Sequence, residues 1–377
     1  MRAQGPLALF LQLCGWRASR RHTSLRGPPS PPPPFAGTGS EAVESAIKLA
    51  RHETGRQNII VFNGGFHGRS LAALAMTTSK TAYRIGYGPL PSGIHVARFP
   101  YCLHCPAGAG GDWARKDGCC GDALESVRVL LKEQSAPAET AAVVIEPLLG
   151  EGGYVPTPPG FFAALRALCD EHGMLLIADE VQSGVGRTGK MWAVEHEGVT
   201  PDILVFAKAI ASGVPLSGIM TRPGLMLKSP PGSMGGTYGA TAVAAAAAAA
   251  TLRVMREERL PENAAARGAQ LAAGLRALSA RFPGVVADVR GRGCMVGLEF
   301  AHPAGSGFAG AVTAAAMARG LLLLTTGWRE TIRFIPPLVV TEAEVDTALE
   351  AFGGALEATL AAWKGPPPCA IPQPVCR

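Results

Sequence analysis

The chain has 377 residues, 47% of them hydrophobic and 17% charged, which is enough for two domains around a large packed core. Its net charge of +6 comes almost entirely from Arg2, Arg17, Arg20, Arg21 and Arg26, which precede the first acidic residue, Glu41, so no basic surface for nucleic acid is indicated. No stretch reaches the roughly twenty apolar residues of a membrane span, and the run Ala244 to Ala250 is a helix former rather than a lipid-seeking segment.

Residues 1–37 hold arginines, serines, a short apolar run (Leu7 to Leu13) and a proline tract (Pro28 to Pro34). An acid-poor leader of this kind reads as an organelle transit peptide, with the mitochondrion as the expected destination. Thr38-Gly39-Ser40-Glu41 is a capping box that opens a helix running to about Arg51. Ile59 to Phe62 is a short β-branched strand, followed by Gly64-Gly65-Phe66-His67-Gly68-Arg69. Nine scattered cysteines do not make a disulfide scaffold. Cys102-x-x-Cys105 with Cys119-Cys120 has a spacing that can bind zinc, but adjacent cysteines do not easily share one tetrahedral ion. The reading adopted is a loop of small apolar thiols and no metal site.

Ala142 to Ile145 predicts a strand ending at Glu146-Pro147. Pro159 to Glu171 predicts a helix with Phe162, Leu165 and Leu168 on one face. Leu175 to Ala178 predicts the next strand, ending at Asp179-Glu180, and the strand–helix–strand spacing implies a right-handed parallel crossover. The apolar run Ile203 to Ala207 ends in Lys208. After Thr241 an alanine-rich helix runs toward Glu258, and Asn263 to Leu278 predicts another. From Val285 the texture changes to short strands (Met295 to Phe300, Thr331 to Phe334) with helices near Gly310 to Arg319 and Glu342 to Leu360. The expected organisation is a leader at 1–37, a large α/β domain with a mostly parallel sheet at 38–256, a smaller α+β domain at 257–364, and a Pro-rich tail at 365–377.

Short apolar runs that each end in an ionisable residue look like buried strands of a parallel sheet, and ligands in open α/β sheets sit at the carboxyl ends of the strands. On the Asp179-Glu180-Val181-Gln182 run, Lys208, Gly39-Ser40 and Phe66-His67-Gly68-Arg69, the chain resembles the class III (ω-amino acid) aminotransferases of pyridoxal 5'-phosphate (PLP) fold type I. The resemblance extends from about Gly39 to about Val340. Met76-Thr-Thr-Ser-Lys80 through Phe99-Pro-Tyr-Cys-Leu-His-Cys105 is most similar to the 4-aminobutyrate aminotransferase branch. The resemblance implies a transaminase that moves an amino group from an ω-amino acid to a 2-oxo acid such as 2-oxoglutarate or pyruvate. It implies Lys208 as the Schiff-base lysine and proton-transfer base, and Asp179 as the partner of the pyridinium nitrogen. Val181 and Phe66 would flank the ring, with His67 beside Phe66. Gln182 would meet the ring hydroxyl, and Gly39 and Ser40 would receive the phosphate at a helix N-terminus.

Gly235-Gly236-Thr237-Tyr238-Gly239 resembles the segment that reaches across a homodimer to the partner's phosphate, with Thr237 as donor, although Ala240-Thr241 stands where the family has a Gly-Asn pair. Arg69 and Arg333 are the candidates for the two carboxylates of a dicarboxylic substrate. Glu146 is expected to neutralise Arg333 when no α-carboxylate is bound. Family members carry a longer segment before the Gly-Ser-Glu-Ala motif, so a truncated chain or a foreign leader is expected. The alternatives are acetylornithine, ornithine or alanine–glyoxylate aminotransferases, an aminomutase, and an inactive relic of the fold.

Overall fold

The computed structural model describes residues 35–105, 121–226, 228–230, 232–327 and 329–369. Most of the expected leader, Cys119, Cys120 and the end of the Pro-rich tail lie outside the described residues.

Seven strands form the larger sheet: β1 (Phe35–Ala36), β2 (Asn58–Phe62), β3 (Ile94–Ala97), β4 (Thr140–Ile145), β5 (Leu175–Asp179), β6 (Ile203–Phe206) and β7 (Ser217–Thr221). Their order is β1-β7-β6-β5-β4-β2-β3. The five strands from β3 to β6 pair in parallel, while β7 and β1 complete one edge antiparallel. Successive side chains alternate between faces. Ile60, Phe62, Val143, Ile145, Leu176 and Ala178 join one core, and Ile59, Val61, Ala142, Val144, Leu175 and Ile177 join the other. Both faces are therefore buried, which is why these strands read as continuous apolar runs.

Helix α1 (Gly39–Thr54) buries Ala42, Val43, Ala46, Ile47, Leu49 and Ala50 against one face. Its N-cap is the expected box: Thr38 Oγ1 accepts from Glu41 N at 3.3 Å, and Glu41 Oε2 accepts from Thr38 N at 2.8 Å. Helices α2 (Leu71–Met76), α3 (Asp122–Glu133) and α4 (Phe161–His172) follow. Helix α3 was not anticipated from the sequence. Helix α5 (Ala242–Glu257) packs beside the 3-10 turn Lys208–Ala211, its buried Ala244 and Ala248 sharing one core cluster with Ile210 and Ala211.

A four-stranded antiparallel sheet is built from β8 (Val286–Arg292), β9 (Met295–Phe300), β10 (Leu324–Thr326) and β11 (Thr331–Phe334), in the order β8-β9-β11-β10. Helices α6 (Leu260–Arg281), α7 (Phe308–Met317) and α8 (Glu342–Ala362) pack around it, with their own core centred on Leu271, Leu298, Phe308, Ile332 and Phe352. Arg259, with φ +53, separates α5 from α6.

A buried ion cluster ties this sheet to the larger one. Arg290, 1% exposed, meets Glu299 at 2.9 Å and Asp288 at 3.0 Å, and donates from Nε and Nη2 to the Gly153 carbonyl at 3.1 and 2.7 Å. Tyr101 and His104, from the loop after β3, hydrogen-bond the same Glu299 carboxylate. Burial alone would raise the Glu299 pKa, but Arg290 with His104 and Tyr101 brings it down to about 2 from an ordinary 4.5. A depressed carboxylate contributes stability above its unfolded pKa and loses it as pH falls through the folded value. Glu299 should thus contribute on the order of 3 kcal/mol, all of it lost between about pH 4.5 and 2. Chemical denaturation across that window should show a stability slope that Glu299→Gln flattens; an unchanged slope in the variant would show that the acid sensitivity resides elsewhere.

Candidate active site

The carboxyl ends of β4, β5 and β6 open into a cavity of about 460 Å³. Its walls include Gly39, Ser40, Phe66, His67, Glu146, Asp179, Val181, Gln182 and Lys208, so nine of the residues singled out in the sequence converge on one space. Arg69, Arg333 and Thr237 are not among its walls.

Asp179 is the last residue of β5 and is buried. Its Oδ1 accepts from the Val181 amide at 3.1 Å, and its Oδ2 lies 2.8 Å from His67 Nδ1. Burial disfavours the charged form of His67, but the hydrogen bond and charge of Asp179, with the charge of Glu146, outweigh it and raise the His67 pKa. His67 is fixed in turn by its own amide, which donates to Thr77 Oγ1 at 3.0 Å. The neighbouring acid, Glu180, turns inward. It accepts from Ser183 Oγ (2.7 Å), Ala193 N (3.0 Å) and Val194 N (2.8 Å), which closes the loop that presents Val181 and Gln182. Of the Asp-Glu pair, one member faces the cavity and the other braces the loop. The sequence reading gave Glu180 no role.

Lys208 follows β6 after one intervening residue and has φ +46, a left-handed conformation uncommon for a side-chain-bearing residue. The turn redirects the chain at the strand end, and strain of this kind persists only where surrounding packing holds it. Water reaches the lysine through the cleft, yet the walls desolvate its ammonium enough to lower the pKa, against the opposing pull of Asp179, Glu146 and Glu151.

Gly39 and Ser40 are the first residues of α1, where backbone N–H groups have no acceptor within the helix and the dipole favours an anion. Gly39 packs closely on Val181: a Cβ there would lie 3.1 Å from Val181 Cγ1, so any larger residue would have to push that side chain aside. Gly68 has φ +133, and a Cβ there would lie 2.1 Å from Ser40 Oγ, so loop and helix close on each other with no room for a side chain. Ser40 Oγ accepts from the Arg69 amide at 3.0 Å across this junction.

Glu146 departs from expectation. Its Oε1 accepts from Phe66 N and its Oε2 from Gly150 N, both at 2.8 Å, and it is not the partner of Arg333. Burial, opposed by His67 and assisted by Asp179, raises its pKa to about 7. Arg333 instead pairs through Nη1 with Glu151. The reason is the turn after β4: Glu146 emerges straight from the strand and is captured by the Gly150 amide of its own turn and the Phe66 amide of the loop after β2, whereas Glu151 lies beyond it, beside β10 and β11. There Gly327 N and Thr326 Oγ1 donate to the Glu151 carbonyl at 2.6 and 2.9 Å. Glu151 also lines the cavity, and the sequence reading missed it. Arg69 is exposed and stacks on the Tyr83 ring, 4.9 Å from its centroid, while Phe66 meets Tyr83 edge-on at 5.2 Å. Thr237 lies on an exposed segment beside a second cavity that Glu41, Glu44 and Lys48 also line.

These residues fit PLP. A lysine amine, a buried carboxylate, a helix N-terminus and an aromatic ring share one cavity, and Gln182 Oε1 is buried there with no hydrogen-bond partner among the described residues. Among those residues, no group of three metal-ligating side chains occurs outside or inside it.

The family profile for aminotransferase class-III matches residues 34–356. The chain is 43% identical over 317 residues to the 5-aminovalerate aminotransferase DavT of Pseudomonas putida, covering 83% of this chain and 72% of that one. It is 41% identical over 319 residues to the 4-aminobutyrate aminotransferase GabT of Escherichia coli, again covering 83% and 72%. A thermostable (S)-enantioselective omega-transaminase from Thermomicrobium roseum has a similar structure, with a TM-score of 0.81 at 32% identity, covering 93% of this chain and 79% of that one.

Proposed function

The chain belongs to the class-III aminotransferases, which are PLP-dependent transaminases, and from that premise we propose that it moves the amino group of a 4-aminobutyrate- or 5-aminovalerate-type ω-amino acid to a 2-oxo acid. The observation that carries this reading is the convergence of Lys208, Asp179 and Glu151 on one cavity, with Glu151 holding Arg333.

When bound, PLP supplies an aldehyde that exchanges amino groups and an electron-withdrawing ring that acidifies the substrate Cα–H. Lys208 would meet the aldehyde and Asp179 the ring nitrogen, with Phe66 and Val181 flanking the ring, Gln182 at its hydroxyl, and Gly39 and Ser40 at the phosphate. His67 holds the Asp179 carboxylate in place through Nδ1. Burial shifts Lys208 toward the neutral amine, the form able to take the proton from the substrate Cα. An ω-amino group arrives without an α-carboxylate, and Glu151 then neutralises Arg333, a charge too costly to leave buried alone. A dicarboxylic 2-oxo acid brings an α-carboxylate that accepts from the guanidinium in Glu151's place. Arg69, steadied by Tyr83, takes the distal carboxylate, which is also the sole carboxylate of the ω-amine. Thr237, remote from its own cavity, is read as a phosphate donor to a neighbouring subunit's site in a homodimer.

Borohydride reduction of the PLP-loaded protein should attach the cofactor covalently to Lys208, and Lys208→Ala should abolish the label; labelling at another lysine such as Lys190 would defeat the assignment. Arg333→Ala should slow the half-reaction with 2-oxoglutarate at least tenfold more than that with 4-aminobutyrate, while Arg69→Ala should impair both. Equal losses in the two half-reactions for both variants would remove the two-arginine model. Sedimentation of the active enzyme should give a dimer or a larger species, and full activity in a monomer would refute the role given to Thr237.

A further inference from the structure

Next to the Glu151–Arg333 pair sits a residue that the reaction does not use. Tyr154 is fully buried, yet its backbone has φ +52. A bulky residue is an outlier there, and outliers of this kind persist where packing over-determines them. Here the packing is explicit. The Gly153 carbonyl is clamped by Nε and Nη2 of Arg290, and the Tyr154 amide donates to the Gly150 carbonyl at 3.3 Å. The ring lies against Leu148 and Met295.

The position of Tyr154 relative to Arg333 follows from strand register. Gly297 of β9 pairs with Arg333 of β11. A Cβ on Gly297 would lie 3.0 Å from the Tyr154 Cβ, so the glycine makes room for the tyrosine on the face of the sheet that carries Arg333. Burial raises the Tyr154 pKa to about 12, with Arg333 the strongest charge opposing the rise and Glu151 adding to it. The Tyr154 hydroxyl and Arg333 Nε are both buried with no hydrogen-bond partner among the described residues. Arg333 acts on the Tyr154 hydroxyl through both its charge and its N–H groups, so the two side chains are adjacent, yet no well-formed hydrogen bond joins them while Nη1 is held by Glu151.

Two unsatisfied buried polar groups, side by side, make the Glu151-paired state costly. Rotation of Arg333 off Glu151 would let its Nε–H donate to the Tyr154 oxygen and satisfy both. We propose that Tyr154 is a positioning residue for Arg333, holding the guanidinium in the orientation that receives the α-carboxylate of a dicarboxylic substrate. This rests on the functional reading above and adds the group that stabilises the released arginine.

The test is Tyr154→Phe in the holoenzyme, which keeps the ring and removes one oxygen. The KM for 2-oxoglutarate should rise about tenfold, the size of one hydrogen bond to a charged group, with kcat for that half-reaction little changed and the KM for 4-aminobutyrate unchanged. Thermal stability should stay level or rise, because a buried orphan hydroxyl has gone. A merely structural tyrosine would instead lower stability and affect both half-reactions alike. In an Arg333→Lys background, which lacks the Nε donor, adding Tyr154→Phe should change the 2-oxoglutarate KM no further. An additional loss there, or an unchanged KM in the single variant, overturns the proposal. Arg333→Ala separates the two levels. If it spares the 2-oxoglutarate half-reaction, the functional reading fails; if it impairs that half-reaction while Tyr154→Phe does not, only the role of Tyr154 fails.

Discussion

Charges brought into a low-dielectric cleft must be balanced within it, and the architecture around this cavity answers that requirement residue by residue. Asp179 has His67 and a backbone amide, Glu146 has two amides, and Glu151 has Arg333. Lys208 is left in the field of three carboxylates, with its ammonium weakened by burial and supported by their charge. The long-range partners come from two distant parts of the chain, Phe66 and His67 from the loop after β2 and Arg333 from β11. The cavity therefore exists only when the parallel sheet, the loop after β2 and the antiparallel sheet are all in place.

The link between the sheets is of the same kind. Arg290 reaches from β8 to the carbonyl of Gly153, and the Glu299 carboxylate it pairs with also receives Tyr101 and His104. One buried guanidinium thereby connects the loop after β3, the turn carrying Glu151, and the C-terminal sheet. Replacing one member alone would strand the others, which is costlier than never having buried them.

The periodicity of the chain made the central strands legible. Both faces of β4, β5 and β6 are covered, so their apolar runs are unbroken, and Glu146, Asp179 and Lys208 stand at or just past their ends, facing the cavity. Lys208 and Asp179 were readable for that reason. The partner of Arg333 was not. The run Glu146-Pro-Leu-Leu-Gly-Glu151 offers two carboxylates separated by a tight turn, and only the fold reveals that the first is captured by the amides of Gly150 and the distant Phe66 while the second is carried on to β10 and β11. Helix α3 went unnoticed because its apolar face, Ala123, Leu124, Val127, Leu130 and Leu131, is diluted by charged neighbours and follows a Gly-rich stretch. The strand Leu324–Thr326 was hidden for the opposite reason. It leaves Leu324 exposed within a uniform leucine run, so no alternation marks it.

The alanine run of α5 has the least chemical character of any segment in the chain, yet it packs against the turn that begins with Lys208. Its buried positions act as a spacer of fixed thickness. Ala244 and Ala248 share one core cluster with Ile210 and Ala211 of the strained lysine turn, so only methyl groups stand on the helix side of that contact. Sequence drift in that stretch is accordingly one-sided: a bulkier residue at Ala244 or Ala248 would press on the turn that begins with Lys208, and so disturb the reactive amine without touching a single polar group.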